Sequence, residues 1–471
     1  MTKRRILLKI EIFVLIFAVI LGSVTFVMKN KNAFKYIIPF YNEQKNSLDI
    51  VFFGNSHVFN AINPMILYKS YGVVSYNYAR PSEKFLAIYK SLKEVLMYQK
   101  PKLLVIDLHS ITWGIEKWEA ERYGTHRTFD NIFFSFNKLK MISDFCNKYN
   151  YNFYIEWELA FPIYFYHSNW NELKKNNFSE PKTFSKGFGP ERKQFKSSKI
   201  QEISTNRESI FTLLKSNVDT FWDIIDLCKK NNIKLLFTLI PYTNKNGNLY
   251  EMKYFNDVEY LVKTIPNVEY LNLFHQLDEI GFDFSTDLAD FGHVNPNGAQ
   301  KITAHIGKYI KEHYDIPDRR LDPAYAKWND DYKLYVQDTF AQELNATKNS
   351  EKYLELLTSK KEATDNTCIF FVKTSERINS KHFNSLGINV NSNNCITIID
   401  EGKIVYNRTA SDILLQHEYK IGRLPIKLVS DVKGKNSSIK IDGIEQINNK
   451  SGITVVIYDK LLKKVSSVRS L

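Results

Sequence analysis

Three side chains in this chain have the types and settings that acyl transfer needs. The apolar run Asp49-Ile50-Val51-Phe52-Phe53 stops abruptly at Gly54-Asn55-Ser56-His57. A buried strand that ends this way delivers the Ser56 hydroxyl to the rim of a sheet. Far downstream, Asp290-Phe291-Gly292-His293 places a carboxylate three residues before an imidazole, just ahead of an amphipathic helix. A free serine is a poor nucleophile; it needs a base within hydrogen-bond reach, and the base needs a fixed tautomer. Ser56 as nucleophile, His293 as base and Asp290 as the group that orients the base fill these roles, with Asp287 a competing orienter. That is the chemistry of a serine hydrolase or acyltransferase. It calls for no cofactor. No Cys-x-x-Cys spacing occurs, so a metal centre is not expected either.

The elements around these residues alternate. Apolar runs Leu48–Phe53, Val73–Asn77, Leu103–Ile106, Lys234–Ile240 and Val268–Leu273 read as strands. Glu83–Gln99, the stretch before Asn231 and Ala299–Tyr309 carry helical spacing. Strands alternating with helices predict an α/β fold with a mostly parallel, doubly wound sheet. Ligands of such sheets bind beyond the strand C-termini, where Ser56 falls. Residues 110–215 break the alternation with an aromatic-rich, irregular insertion placed to build or cover a substrate site. In it, His126, Arg127 and His167 suit an anionic or sugar substrate, with Trp170 as a stacking face; the alternative is that they pin the insertion to the core. The α/β pattern ends near residue 320. A helical linker is expected over 321–364 and a mainly β domain over 365–471.

The first residues set the compartment. Lys3, Arg4 and Arg5 precede an apolar run that ends at Met28, and Lys29 and Lys31 follow. From Ile6 to Met28 a helix spans roughly 34 Å, enough to cross a bilayer. Basic residues before the run place the N-terminus in the cytoplasm, and residues 1–31 read as an uncleaved signal anchor. The rest of the chain is then expected outside the cytoplasm, single-pass and membrane-bound. A net charge of +13 fits an anionic neighbour such as lipid headgroups or teichoic acid, or a basic compositional bias. No basic stripe with interleaved aromatics points to nucleic acid. Of four cysteines, Cys368 and Cys395 lie in strand-like runs; a disulfide between them and two reduced, buried thiols are both open.

Gly54-Asn55-Ser56-His57 together with Asp290-Phe291-Gly292-His293 resembles the SGNH/GDSL hydrolase superfamily, over about residues 45–320. The nearer likeness is to its membrane-anchored extracytoplasmic branch, which serves alginate O-acetylation and teichoic acid D-alanylation. The resemblance implies a flavodoxin-like three-layer α/β/α domain with Ser56, Asp290 and His293 catalytic. It implies an esterase or O-acyltransferase, acetyl being the expected group, acting on an envelope polysaccharide beside a membrane partner that supplies acyl groups. The rival is a non-catalytic glycan-binding or assembly protein of capsule or teichoic acid synthesis.

Two departures from that pattern concern the oxyanion hole. The family's Gly falls within Asn77-Tyr78-Ala79-Arg80-Pro81, which has none, and its Asn falls near Asp107-Leu108-His109-Ser110, which has none. Backbone N–H groups of Ser56, Ala79 and Arg80 remain as donors, since a backbone donor needs no particular side chain. His109, His126 or Asn131 stands in for the Asn, and Asn77 counts with the substrate-binding candidates. In the C-terminal region, Ser438-Ile439-Lys440-Ile441-Asp442-Gly443 and Gly452-Ile453-Thr454-Val455-Val456-Ile457-Tyr458-Asp459 are similar to the interleukin-like EMT inducer domain, which implies a carbohydrate-binding appendage.

Overall fold

The computed structural model describes residues 3–29, 35–114, 118–178, 183–195, 213–244, 252–359, 365–374, 383–384, 386, 388, 394–433, 435–447 and 452–471. The chain divides into two compact units, Met1–Tyr325 and Ala326–Leu471.

The first unit is α/β. Its parallel strands are β1 (Ile50–Phe53), β2 (Ser75–Asn77), β3 (Leu103–Asp107), β4 (Lys234–Leu239) and β5 (Val268–Asn272), in the order β2-β1-β3-β4-β5. Every residue of β1, β2 and β3 is buried. Strands buried at every residue belong to a sheet covered on both faces. Ile50, Phe52, Leu103 and Val105 pack with helix residues Val58, Leu67, Ile302, Ile306 and Ile310. On the other face, Phe221 stacks on Phe237 of β4 with ring centroids 4.9 Å apart.

At the N-terminus, α1 (Lys3–Met28) is long and apolar enough to cross a membrane, and its apolar window is not buried by protein. The insertion is more regular than its composition suggests. Helices α2 (Trp118–Phe129), α3 (Phe136–Lys148), α4 (Phe153–Ala160) and α5 (Ile163–Tyr166) occupy its first half. Ser135 and Asn152 cap two of them, accepting from the N–H groups of Lys138 (3.1 Å) and Ile155 (3.2 Å). Phe129, Met141, Ile142, Phe145 and Leu159 pack with Leu86 and Ala87 of the helix Phe85–Tyr98 in one core cluster.

The second unit begins with two helices, Ala326–Ala346 and Ser350–Ser359, inside the stretch expected as a linker. Their Phe340, Leu344, Tyr353 and Leu354 pack on one face of a five-stranded antiparallel sheet through Ile369, Phe371, Val455 and Ile457. The opposite face, with Phe370, Ile396, Ile398 and Val456, packs on a four-stranded sheet through Ile426, Leu428 and Ile439. All four cysteines are free thiols. The ladder explains why Cys368 and Cys395 do not pair. Cys368 lies opposite Asp400, and Cys395 opposite Lys373. The two are therefore five residues out of register on adjacent strands, about 17 Å at 3.4 Å per residue, far beyond disulfide reach.

Candidate active site

The site is assembled where β1 ends. A Cβ on Gly54 would lie 2.5 Å from Val58 Cγ2 and 3.1 Å from Asp107 Cβ, so the turn out of the strand closes only on glycine. Asn55 then caps the short helix Ser56–Ala61, its Oδ1 accepting from the His57 N–H at 2.9 Å. Ser56 is thus the first residue of a helix and stands at the C-terminal rim of the sheet.

The other half comes from the turn before the last helix of the unit, Pro296–His313. Asn295 caps that helix through Asn297 N–H (2.9 Å) and Gly298 N–H (3.2 Å). Its amide also donates to the carbonyls of Thr286 and Leu288. One side chain therefore ties the helix start to the loop that carries Asp290 and His293. The loop closes on itself where the Ala289 N–H donates to His293 O at 2.8 Å.

His293 bridges the two halves. Its Nε2 lies 2.8 Å from Ser56 Oγ, and its Nδ1 lies 2.8 and 2.9 Å from the Asp290 carboxylate oxygens. Asp290 is held further by the Gly292 N–H at 2.9 Å. Burial alone would raise the Asp290 pKa. The hydrogen bond and charge of His293, with the Gly292 N–H, outweigh it and hold the carboxyl below the ordinary range. Asp287 is engaged elsewhere. It is fully buried, pairs with Lys301 at 2.7 Å and accepts from Asn297 Nδ2 at 2.7 Å, which makes it an anchor of the helix rather than an orienter.

Two histidines lie beside His293. The rings of His57 and His109 stack with centroids 3.7 Å apart, and Tyr242 packs against both. Burial, with the charges of His109 and His293 adding to it, pushes His57 well below its ordinary value. Burial and the charge of His293 bring His109 down to about 3. Both rings are neutral at pH 7. Asn55 also decides the His109 tautomer. Its Oδ1 is taken by an N–H, so its donor-only Nδ2 faces His109 Nδ1 at 2.8 Å. Nδ1 must accept, and the ring proton sits on Nε2.

The other expected residues separate into those near this centre and those not. Asn77 is fully buried and structural: its Nδ2 donates to Val58 O and Ile62 O, both at 2.8 Å. The Ala79 N–H is given to Asn77 Oδ1 at 3.2 Å, and the Arg80 N–H to Gly54 O at 3.3 Å. Two of the three expected backbone donors are therefore already committed. The Arg80 side chain is buried against Glu83 and Ser91. The Ser56 N–H, in the first turn of its helix, has no intrahelical acceptor.

His126 is buried between Asp130 and Glu158, each at 3.0 Å, and Arg127 lies over the Tyr123 ring. The Asn131 amide bonds Arg127 O. His167 bonds Tyr164 O at 2.8 Å, and Trp170 is exposed. These bonds and ring contacts stay within the insertion and reach neither Ser56 nor the parallel sheet. Sequence reasoning passed over His57, Trp113 and Tyr242. The adjacency of His57 to Ser56 was a visible signal; Trp113 and Tyr242 carried none. Trp113 meets His109 edge-on at 5.4 Å, and both border a cavity of about 560 Å³ with Lys84, Thr112, Glu121 and Tyr123. Among the described residues, no group of three His, Cys, Asp or Glu side chains could hold a metal ion. The chain matches no protein-family model and no curated protein sequence.

Proposed function

We propose that this chain is a membrane-anchored, extracytoplasmic serine esterase or O-acyltransferase of the SGNH type, acting on a cell-envelope polysaccharide. The observation that carries the reading is the His293 ring, bonded to Ser56 Oγ on one edge and Asp290 on the other. The strand order β2-β1-β3-β4-β5 is that of flavodoxin-like sheets, which supports the implied fold. In the first step Ser56 Oγ attacks an ester or thioester carbonyl while His293 Nε2 takes its proton. The tetrahedral oxyanion collapses, the leaving group departs with that proton, and an acyl-Ser56 ester remains. Water or a sugar hydroxyl then attacks the ester, with His293 again the base, and Ser56 is regenerated.

The oxyanion needs donors, and the Ser56 N–H with the neutral His109 Nε2–H form the set this reading assigns. His109 stands where the family's Asn would fall, and His293 is near enough for its charge to depress it. The cavity beside His109, with an aromatic face at Trp113 and the Lys84–Glu121 ion pair at 2.6 Å, suits a sugar ring better than a long acyl chain. Acetyl as the acyl group, a partner that delivers it, and glycan binding by residues 365–471 belong to the same proposal.

A non-catalytic glycan-binding protein is the second reading, favoured by the committed N–H groups of Ala79 and Arg80. Intact mass after treatment with a fluorophosphonate separates the two. Under the enzyme reading wild type gains one adduct, and Ser56→Ala and His293→Ala gain none. Unlabelled, folded wild type would transfer support to the binding protein.

A further inference from the structure

The insertion has a second relationship, with α1. Asn169 Nδ2 donates to Met28 O at 3.0 Å, and Asn177 Nδ2 to Val27 O at 2.9 Å. These bonds fasten the insertion to the last turn of the candidate membrane helix. Tyr164, Trp170 and Phe178, on the segments packed there, are 64–66% exposed. Large aromatic side chains left open beside the end of a membrane span are the signature of an interfacial belt.

Between α1 and the insertion lies a cavity of about 450 Å³. One wall is the helix itself, through Ala18, Leu21, Gly22, Thr25 and Phe26, residues spaced to share a helical face. Ala18 to Met28 covers about 15 Å, half the thickness of a hydrocarbon core. A cavity walled by the spanning helix over this depth opens to one leaflet. The facing wall is apolar, with Phe133, Phe134, Phe161 and Ile163.

Its polar residues gather at the Lys29 end. Lys29 Nζ donates to Asp130 O at 2.9 Å, and Lys138 Nζ to Ile132 O at 3.3 Å. Lys138 is 3% exposed; burial lowers it to about 8, with the charges of Asp130 and Glu94 opposing and that of Lys29 adding.

We propose that this cavity holds one anionic phospholipid of the leaflet on the Met28 side. An acyl chain lies along Ala18, Gly22 and Thr25, and Lys29 and Lys138 face the phosphate. The proposal rests on α1 crossing a membrane and is independent of chemistry at Ser56. The bound lipid would fix the insertion against the bilayer.

The test uses the full chain, extracted from membranes in mild detergent and offered phosphatidylglycerol or phosphatidylcholine, with native mass spectrometry as readout. A Cβ on Gly22 meets nothing within 4 Å and Gly22 lines the cavity, so Gly22→Phe brings a ring into the space, and Ala18→Phe repeats the test from the next turn. Wild type should keep a one-to-one phosphatidylglycerol adduct through gas-phase activation. Both variants should lose it several-fold, and Lys138→Gln should erase the preference over phosphatidylcholine. Equal retention in wild type and Gly22→Phe, or no preference in wild type, overturns the proposal. Alkaline extraction of the membranes reads the anchor separately: chain released to the soluble fraction overturns the anchor and the lipid site together.

Discussion

Asn55 Nδ2 stands 2.8 Å from His109 Nδ1, and that contact sets which proton His109 can give. The same amide caps the helix Ser56–Ala61 through His57 N–H. One side chain between strand and serine thus fixes both the start of the helix and the tautomer of the ring beside the base. Asn55→Asp puts an acceptor where the donor was. His109 must then take a second proton or lose the contact, and its pKa should rise by several units from about 3. Histidine ¹⁵N shifts followed through a pH titration check this; a ring that stays neutral to pH 4 would refute the tautomer assignment.

If His109 Nε2–H is an oxyanion donor, His109→Ala should slow fluorophosphonate labelling roughly 10²–10³-fold. His109→Asn, which restores an amide donor, should recover much of the rate. Equal slowing in both would mean that His109 serves packing against His57 and Tyr242 only.

Asp290→Asn keeps the shape of the orienter but removes the charge that favours protonated His293. The labelling rate should fall by roughly 10⁴-fold, as for other triads. Asp287→Asn should instead lower the melting temperature, because it breaks the buried pair with Lys301, and leave the rate per folded molecule near wild type.

Asp107 gives a pH signature. It is buried, accepts from the N–H groups of Ile240 and His109, and burial raises it from 3.8 to about 7 despite those bonds. Between those values the folded state holds a proton that the unfolded state has released. Stability from this group is therefore present at acid pH and is lost as pH rises toward 7. Asp107→Asn imitates the protonated form at every pH. Relative to wild type it should gain on the order of a few kcal/mol between pH 4 and pH 8, on top of a constant offset from the lost acceptor. Urea unfolding at both pH values measures it, and a pH-independent difference would show that Asp107 does not titrate there.

Asn77→Ala removes the bonds to Val58 O, Ile62 O and Ala79 N at one buried position. A loss of at least about 2–3 kcal/mol is expected. Substrate KM measured on the folded fraction should not move, which separates the structural role from the substrate contact its position suggested.

The parallel sheet was legible because fully buried strands leave unbroken apolar runs, as in Ile50–Phe53 and Leu103–Ile106. Ser56, Asp290 and His293 were legible because each sits at a strand end or helix entrance with its own local signal. The helices of residues 118–166 were missed because their aromatic face is partly exposed, which blurs the apolar period. The sequence by itself determined the strands of the parallel sheet, the apolar N-terminal helix and the candidate set Ser56, His293 and Asp290, since these rest on local period, charge and turn chemistry. Only the tertiary structure decided that Asp290 rather than Asp287 faces His293, and that Ala79 and Arg80 have already given up their N–H groups. It also decided that Cys368 and Cys395 are out of register, and that His57, His109, Trp113 and Tyr242 meet around the base. Those outcomes depend on which residues distant in sequence share a neighbourhood, and no spacing along the chain encodes that.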